Sequence, residues 1–425
     1  MARHTRSLVV LAAAAAVGGM VTAAEGENFV FSRTPPALET PTDAPPHPPG
    51  PANFVFVTRS DPEPAPSAPK VPTPSFVYMP PLPRSNPVPT VETPDQAVLL
   101  GEQIEALWLR FKSRHVDATG RVIDNANGSI SHSEGQGYAM VLAARMGDRA
   151  TFDRIWAWTR AELMAGGGPF AAWKWDPKAS PHVTDPNNAT DGDLLISWAL
   201  ALAADRFQET GYRDEAARIA RAIYTELTVE MPFGRILLPG KVGFSADDRD
   251  DGPVVNLSYW IFPALDALAA LTPDLDWAAV NRAGRHLLQV GRVGPLRLPP
   301  DWLSLAGPDP VPAAGFDPVF GYNNARIPLY LALDAKAVRA EFLPYAGQWN
   351  AADDLGPFVI DVTTGAAHDT LGGGGFKLVA SLTDCIVNQT RVDPRLLAID
   401  DTFYYPAALG LLALISIKEG HLACL

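Results

Sequence analysis

Three stretches of the sequence combine carboxylates, amides and a cation with glycines, the side-chain set that general acid–base chemistry draws on. The first is Ser131-His132-Ser133-Glu134-Gly135-Gln136-Gly137-Tyr138-Ala139-Met140. It puts a carboxylate where a loop turns into a helical run, beside glycines that let a bulky ligand approach the backbone. The Ser131-x-x-Glu134 spacing also fits a helix capping box, in which the carboxylate only satisfies backbone N–H groups. The second, Ala189-Thr190-Asp191-Gly192-Asp193, opens a strongly apolar run. Thr190 and Asp193 again have cap spacing, so Asp193 reads as structural. Asp191 has no such duty: it either complements the positive end of the helix dipole or binds the hydroxyl groups of a substrate. The third, Phe320-Gly321-Tyr322-Asn323-Asn324-Ala325-Arg326-Ile327-Pro328, sets a tyrosine, two amides and an arginine ahead of another apolar run. Asn323 or Asn324 suits a cap, and Arg326 suits a core carboxylate.

Aromatic rings gather in the same loops. Trp173-Lys174-Trp175 follows three glycines, and Tyr259-Trp260, Trp302, Tyr404 and Tyr405 come later. Flat rings exposed in loops can stack on the C–H faces of sugars. Rings inside helical runs, such as Trp156 and Trp158, read as core.

The elements that must position these residues are helical. Val98, Leu99, Ile104, Leu107, Trp108 and Phe111 mark one face of a helix over 96–111. Further helical runs are expected at 134–146, 149–164, 190–208, 213–229, 257–272, 276–291, 324–344, 374–384 and 402–418. Gly- and Pro-rich loops at 165–189, 232–256 and 292–323 separate some of them, and Ile236-Leu237-Leu238 is the best strand signal. Loops this long without structure of their own are usually functional. The order predicts an all-α ring of helical hairpins with its loops gathered at one end; no fixed-period repeat supports a solenoid.

The 425-residue chain carries a formal charge of −13, which disfavours nucleic acid and anionic lipid surfaces as partners. Residues 1–24 have the pattern of a secretory signal: Arg3 and Arg6, an apolar run from Leu8 to Val17, then small residues. No later stretch is apolar enough to span a membrane. A periplasmic or secreted protein is expected. Residues 25–95 are dense in proline and read as a semi-rigid spacer ahead of a catalytic domain at 96–425. Within the spacer Asn28-Phe29-Val30-Phe31 recurs as Asn53-Phe54-Val55-Phe56 and loosely as Ser75-Phe76-Val77-Tyr78. Such β-prone patches either add to a partner's sheet edge, pack on the domain, or are relics of duplication. Cys385 and Cys424 fit no metal or redox motif; they either pair or remain separate thiols.

Five of these segments, in order over about 95–420, resemble glycoside hydrolase family 8. Ser133 to Met140 resembles its general-acid segment. Ala189 to Phe207 resembles its signature, departing at Ser197 and Ala201. Ala172-Trp173-Lys174-Trp175 resembles its Ala-Trp-Arg-Trp loop, Asn256-Leu257-Ser258-Tyr259 its Asn-Pro-Ser-Tyr, and Gly321 to Pro328 its Tyr-Asp-Ala-x-Arg segment. The resemblance implies an (α/α)6 barrel with a groove at one end. It implies an inverting, endo-acting hydrolase of β-1,4-linked polysaccharide such as cellulose, of the kind associated with bacterial cellulose synthesis, needing no metal or cofactor. Glu134 would be the general acid and Asp191 would hold a distorted sugar. Trp173, Trp175, Tyr259, Tyr322, Arg326 and Tyr405 would bind substrate. Asn323 stands where the family carries its base aspartate. Either another acid serves (Asp247, Asp248, Asp250, Asp251 or Asp317), or Asn323 positions the water, or catalysis is lost. Chitosan hydrolysis and a glucan-binding subunit, docked to cellulose-synthesis machinery through the spacer, are the competing expectations.

Overall fold

The computed structural model describes residues 29–31, 56–58, 94–346 and 357–425. The signal-like run, nearly all of the proline-rich spacer and its third aromatic patch lie outside the described residues. Strand β1 (Phe29–Phe31) in the first patch and β2 (Phe56–Thr58), which begins on the last residue of the second, pair antiparallel, with Val30 opposite Val57.

The remainder is built on helices. They are α1 (Pro94–His115), α2 (Ser133–Met146), α3 (Arg149–Trp158), α4 (Thr190–Phe207), α5 (Thr210–Glu226), α6 (Phe262–Leu271), α7 (Trp277–Val290), α8 (Arg326–Ala332), α9 (Arg339–Phe342), α10 (Gly374–Asn388) and α11 (Tyr404–Gly420). Helices α2, α4 and α11 are buried over nearly their whole length, as is the short α8. Being apolar all round, they belong inside. With α6 and α10 they form a closed inner ring in the order α2, α4, α6, α8, α10, α11 and back to α2. Helices such as α5 and α7 bury one face against that ring and leave the other in water, as their amphipathic sequences dictate. The all-α reading therefore holds.

Two expectations need correction. The run 324–344 is not one helix. It stops after Ala332, where the Asp334 side chain accepts the Lys336 N–H and turns the chain, and it restarts as α9. The long loops also hold short antiparallel strands that sequence reading missed, apart from the one at Gly234–Leu237. One such pair, β3 (Ser131–His132) with β4 (Lys174–Trp175), ties the start of α2 to the tryptophan loop.

Candidate active site

The N-termini of α2, α4 and α8 converge at one end of the ring. At α2 the N-cap is His132, whose Nδ1 accepts the Gly135 N–H at 3.0 Å, while its Nε2 faces Asp124. Ser131, the expected cap, instead donates its hydroxyl to the Val122 carbonyl. The cap is thus one residue later than the sequence spacing implied, and Glu134 is released from capping.

At α4 no side chain caps the helix. Thr190 donates to the Leu238 carbonyl, and Asp193 accepts from the Ala171 N–H at 2.9 Å and the Asn188 amide at 2.7 Å. Asp193 is structural, as expected, but as a tie between loops rather than as a cap. Burial pushes its carboxyl up to about 8 against those hydrogen bonds.

Two glycines let α2 and α4 approach closely. A Cβ on Gly137 would fall 2.5 Å from Leu195 Cβ, and one on Gly192 within 2.1 Å of Ser133 Oγ. This crossing brings Glu134 and Asp191 to a single cation. Arg326, at the start of α8 and 2 % exposed, donates from Nη1 to Glu134 Oε1 at 2.5 Å and Asp191 Oδ2 at 2.8 Å. From Nη2 it donates to Ser258 Oγ at 2.6 Å and Asn323 Oδ1 at 3.1 Å, and from Nε to the Asn323 carbonyl at 3.1 Å. Ser258 is in turn oriented by Asn256, which accepts its hydroxyl proton.

Glu134 and Asn323 therefore sit at the two ends of one guanidinium. Burial raises the Glu134 carboxyl above its ordinary range; Arg326 opposes this and the Asp191 charge adds to it. A raised carboxyl beside a cleft keeps its proton to higher pH, and the protonated form is the one in which a glutamate can donate.

Glu134, Asp191, Trp173, Tyr259, Tyr322, Asn323, Arg326 and Tyr405 line one cleft, with His132, Ser133 and Ala189. Of the expected rings that line the cleft, Trp173 is the half-exposed one; the Ser133 N–H donates to its carbonyl, and Asp185 accepts its indole N–H. Tyr259, Tyr322 and Tyr405 are mostly buried wall: Tyr259 lies against Arg326, and the Tyr405 hydroxyl donates to the Tyr322 carbonyl.

Trp175 is not part of the cleft wall. Its ring is already met by the Arg121 guanidinium, His182 and the edge of Trp158. Asp247, Asp248, Asp250, Asp251 and Asp317 also lie outside the cleft wall. Asp248 is held by Ser245, and Asp251 by Arg249 and the Ala314 N–H.

Sequence reading assigned no role to His132 or Asp301. His132 lies inside the first quoted stretch, where the cap was expected one residue earlier. Asp301 has no local signal, because its partners lie twenty or more residues along the chain.

A closed ring of helices, with a buried acid facing a tryptophan-edged cleft, defines the class of glycoside hydrolases built on an α/α barrel. The chain belongs to glycosyl hydrolases family 8, whose profile matches residues 96–417, so the barrel is the (α/α)6 type. It is 38 % identical over 320 residues to a probable endoglucanase of Novacetimonas hansenii, covering 73 % of this chain and 90 % of that protein. The structure of an endo-β-1,4-glucanase from Acetobacter xylinum superposes with a TM-score of 0.66 at 36 % identity, covering 75 % of this chain and 98 % of that one. An endoglucanase from Komagataeibacter sucrofermentans gives a TM-score of 0.67 at 35 % identity, covering 74 % and 98 %.

Proposed function

We propose that this chain is an exported inverting endo-β-1,4-glucanase acting on cellulose or a related β-glucan, with Glu134 as its general acid. The observation that carries the assignment is the Glu134 side chain. It is freed from the helix cap, raised in pKa by burial, and aimed into the cleft that Trp173 edges. In a single displacement Glu134 gives its proton to the leaving glycosidic oxygen while water attacks the opposite face of the sugar. Asp191 and Arg326 form the polar floor on which positive charge develops at the anomeric carbon. Fixed dipoles and charges in such a setting need little reorganisation during reaction. Asn323 stands at the base position, across the guanidinium from Glu134.

Export is supported by the N-terminal signal pattern and by the Cys385–Cys424 disulfide, which suits an oxidising compartment. Among the described residues no helix is long and apolar enough to cross a membrane. The Phe-Val-Phe patches, being short and β-prone, are the part of the chain suited to docking on cellulose-synthesis machinery. The endoglucanase names of the relatives favour glucan over chitosan.

The test is reducing-end release from carboxymethyl cellulose and from chitosan, together with the anomer formed first. Wild type is expected to act on the cellulose derivative and to give the α-anomer by NMR. Glu134→Gln is expected to lower turnover by about 10²–10⁴-fold, the usual contribution of a positioned acid. Equal rates for wild type and variant would remove Glu134 from the chemistry.

A further inference from the structure

Among the described residues, the water side of the cleft lacks an ordinary base. Inversion requires something to accept the proton that the attacking water gives up, and a lone carboxamide at position 323 is too weak. Behind that amide, in the loop Pro299-Pro300-Asp301-Trp302, lies a carboxylate that is 5 % exposed. Asp301 Oδ1 accepts the N–H groups of Gly321 at 3.0 Å and Asn324 at 3.1 Å, and Oδ2 accepts the Asn323 amide Nδ2 at 3.3 Å. The other end of the amide, Oδ1, accepts from Arg326.

These two partners fix the amide's orientation. Turned over, its NH₂ would face the guanidinium and its oxygen would face the carboxylate. Asn323 is thus wired between the cleft and Asp301. Among the described residues no Lys, Arg or His pairs with Asp301; the cation of this network, Arg326, is one amide away. Burial pushes the Asp301 carboxyl up to about 6, even against the bonds from Gly321, Asn323 and Asn324. A carboxylate in that range is a competent acceptor near neutral pH.

We infer that Asp301 is the final acceptor of the water's proton, reached through the Asn323 amide. This rests on Glu134 being the acid and position 323 the base position. As the water oxygen bonds to the anomeric carbon, its O–H bond breaks and the proton joins Asn323 Oδ1. An Nδ2–H bond breaks in the same event and its proton joins Asp301 Oδ2, leaving Asn323 as the imidic acid. The glycosidic C–O bond breaks with its electron pair on the leaving oxygen, which takes the proton of Glu134. Afterwards Asp301 returns its proton to Nδ2, Oδ1 releases its own to solvent, and Glu134 is reprotonated. Nothing is oxidised or reduced. Asp301 never touches the sugar, so it is a positioning residue that acts through Asn323.

Asp301 also anchors the Gly321–Asn324 turn, so the test must separate proton acceptance from support. Asp301→Asn keeps the size of the side chain and an acceptor for the backbone N–H groups. Turnover on carboxymethyl cellulose is expected to fall by about 10²-fold or more, with KM and Tm little changed, and the acidic limb of the kcat profile near pH 6 should vanish. Exchanging the pair, in Asp301→Asn with Asn323→Asp, places the carboxylate at the cleft with the amide behind it and should restore turnover. If Asp301→Asn does not fold, Asn323→Ala carries the test, because it leaves the backbone N–H bonds to Asp301 in place. It should cost as much turnover when assayed well below its own Tm. Loss in Asp301→Asn without recovery in the exchanged pair overturns the inference, as does an acidic limb that survives Asp301→Asn, or an Asn323→Ala enzyme of near wild-type rate. An enzyme silenced by Glu134→Gln but indifferent to Asp301→Asn overturns this inference alone. Indifference to both overturns the reading of the site as well.

Discussion

Arg326 spends its three nitrogens on five acceptors, drawn from the first turns of α2 and α4, the loop before α6 and its own N-terminal turn. Buried charge of this kind is costly unless every partner is present, and removing one partner typically costs about 3–5 kcal/mol. Arg326→Gln should therefore lower stability by about that amount, because the Glu134 and Asp191 carboxylates would face each other without a cation. The sign of the pH effect follows. Glu134 is already raised above its unfolded value, and loss of the cation raises it further. A raised carboxyl favours the fold below its unfolded pKa, and that advantage fades as pH climbs toward the folded pKa. Calorimetric melts should accordingly show a larger deficit for Arg326→Gln at pH 8 than at pH 5; a deficit independent of pH would disconnect Arg326 from Glu134. The pairing of Arg326 with a core carboxylate was legible in the sequence. The role of Glu134 was not decided there, since Ser-x-x-Glu spacing describes a cap as well as an acid, and the His132 cap removes only the first of these. Asp301 was illegible because its meaning comes entirely from a turn twenty residues away.

Helix-forming segments were legible because apolar residues recur at helical spacing and because fully apolar runs such as that of α11 must lie inside. Their closest contacts were not, since the sequence shows a glycine but not what faces it. Gly192 is the sharpest case: a methyl group there would lie 2.1 Å from Ser133 Oγ and 2.9 Å from the Glu134 nitrogen. Behind the Ser133 hydroxyl the methyl would also meet Ser133 Cβ at 2.6 Å and the Glu134 nitrogen, so turning the hydroxyl aside cannot absorb the collision. Gly192→Ala should push α4 from α2 at a cost of about 1–3 kcal/mol, the range for overpacking, and should lower kcat more than KM by shifting Glu134 from Arg326. Gly166→Ala is the control, with nothing within 4 Å of the added methyl. Thermal melts and Michaelis kinetics on both variants decide the matter, and equal behaviour would mean that the crossing is softer than its geometry. The break in the helix at Asp334 has a similar origin: the local sequence is helical in character, but an aspartate side chain offers the backbone a turn instead.

At the scale of the molecule, the ring is closed by its last long helix. Helix α11 packs on α1, α2, α8 and α10. Its first residues, Tyr404 and Tyr405, stand at the cleft end, and Tyr405 lines the cleft. Beyond its far end the chain turns back, and Cys424 bonds to Cys385 of α10, closing a loop of 39 residues. The Val392 N–H donates to the Cys424 carbonyl beside the bridge. A cross-link of this span acts mainly on the unfolded chain, by removing conformations it would otherwise reach, and is typically worth about 2–4 kcal/mol. The paired substitution Cys385→Ser with Cys424→Ser should therefore melt several degrees below wild type. Because the bridge sits at the opposite end of α11 from Tyr405, turnover at 25 °C should change by less than about twofold, a bound set by the distance over which local packing effects stay independent. Dithiothreitol should bring the wild-type melting temperature down to that of the variant and leave the variant unmoved. A wild type that melts alike with and without reductant would show that packing alone closes the ring.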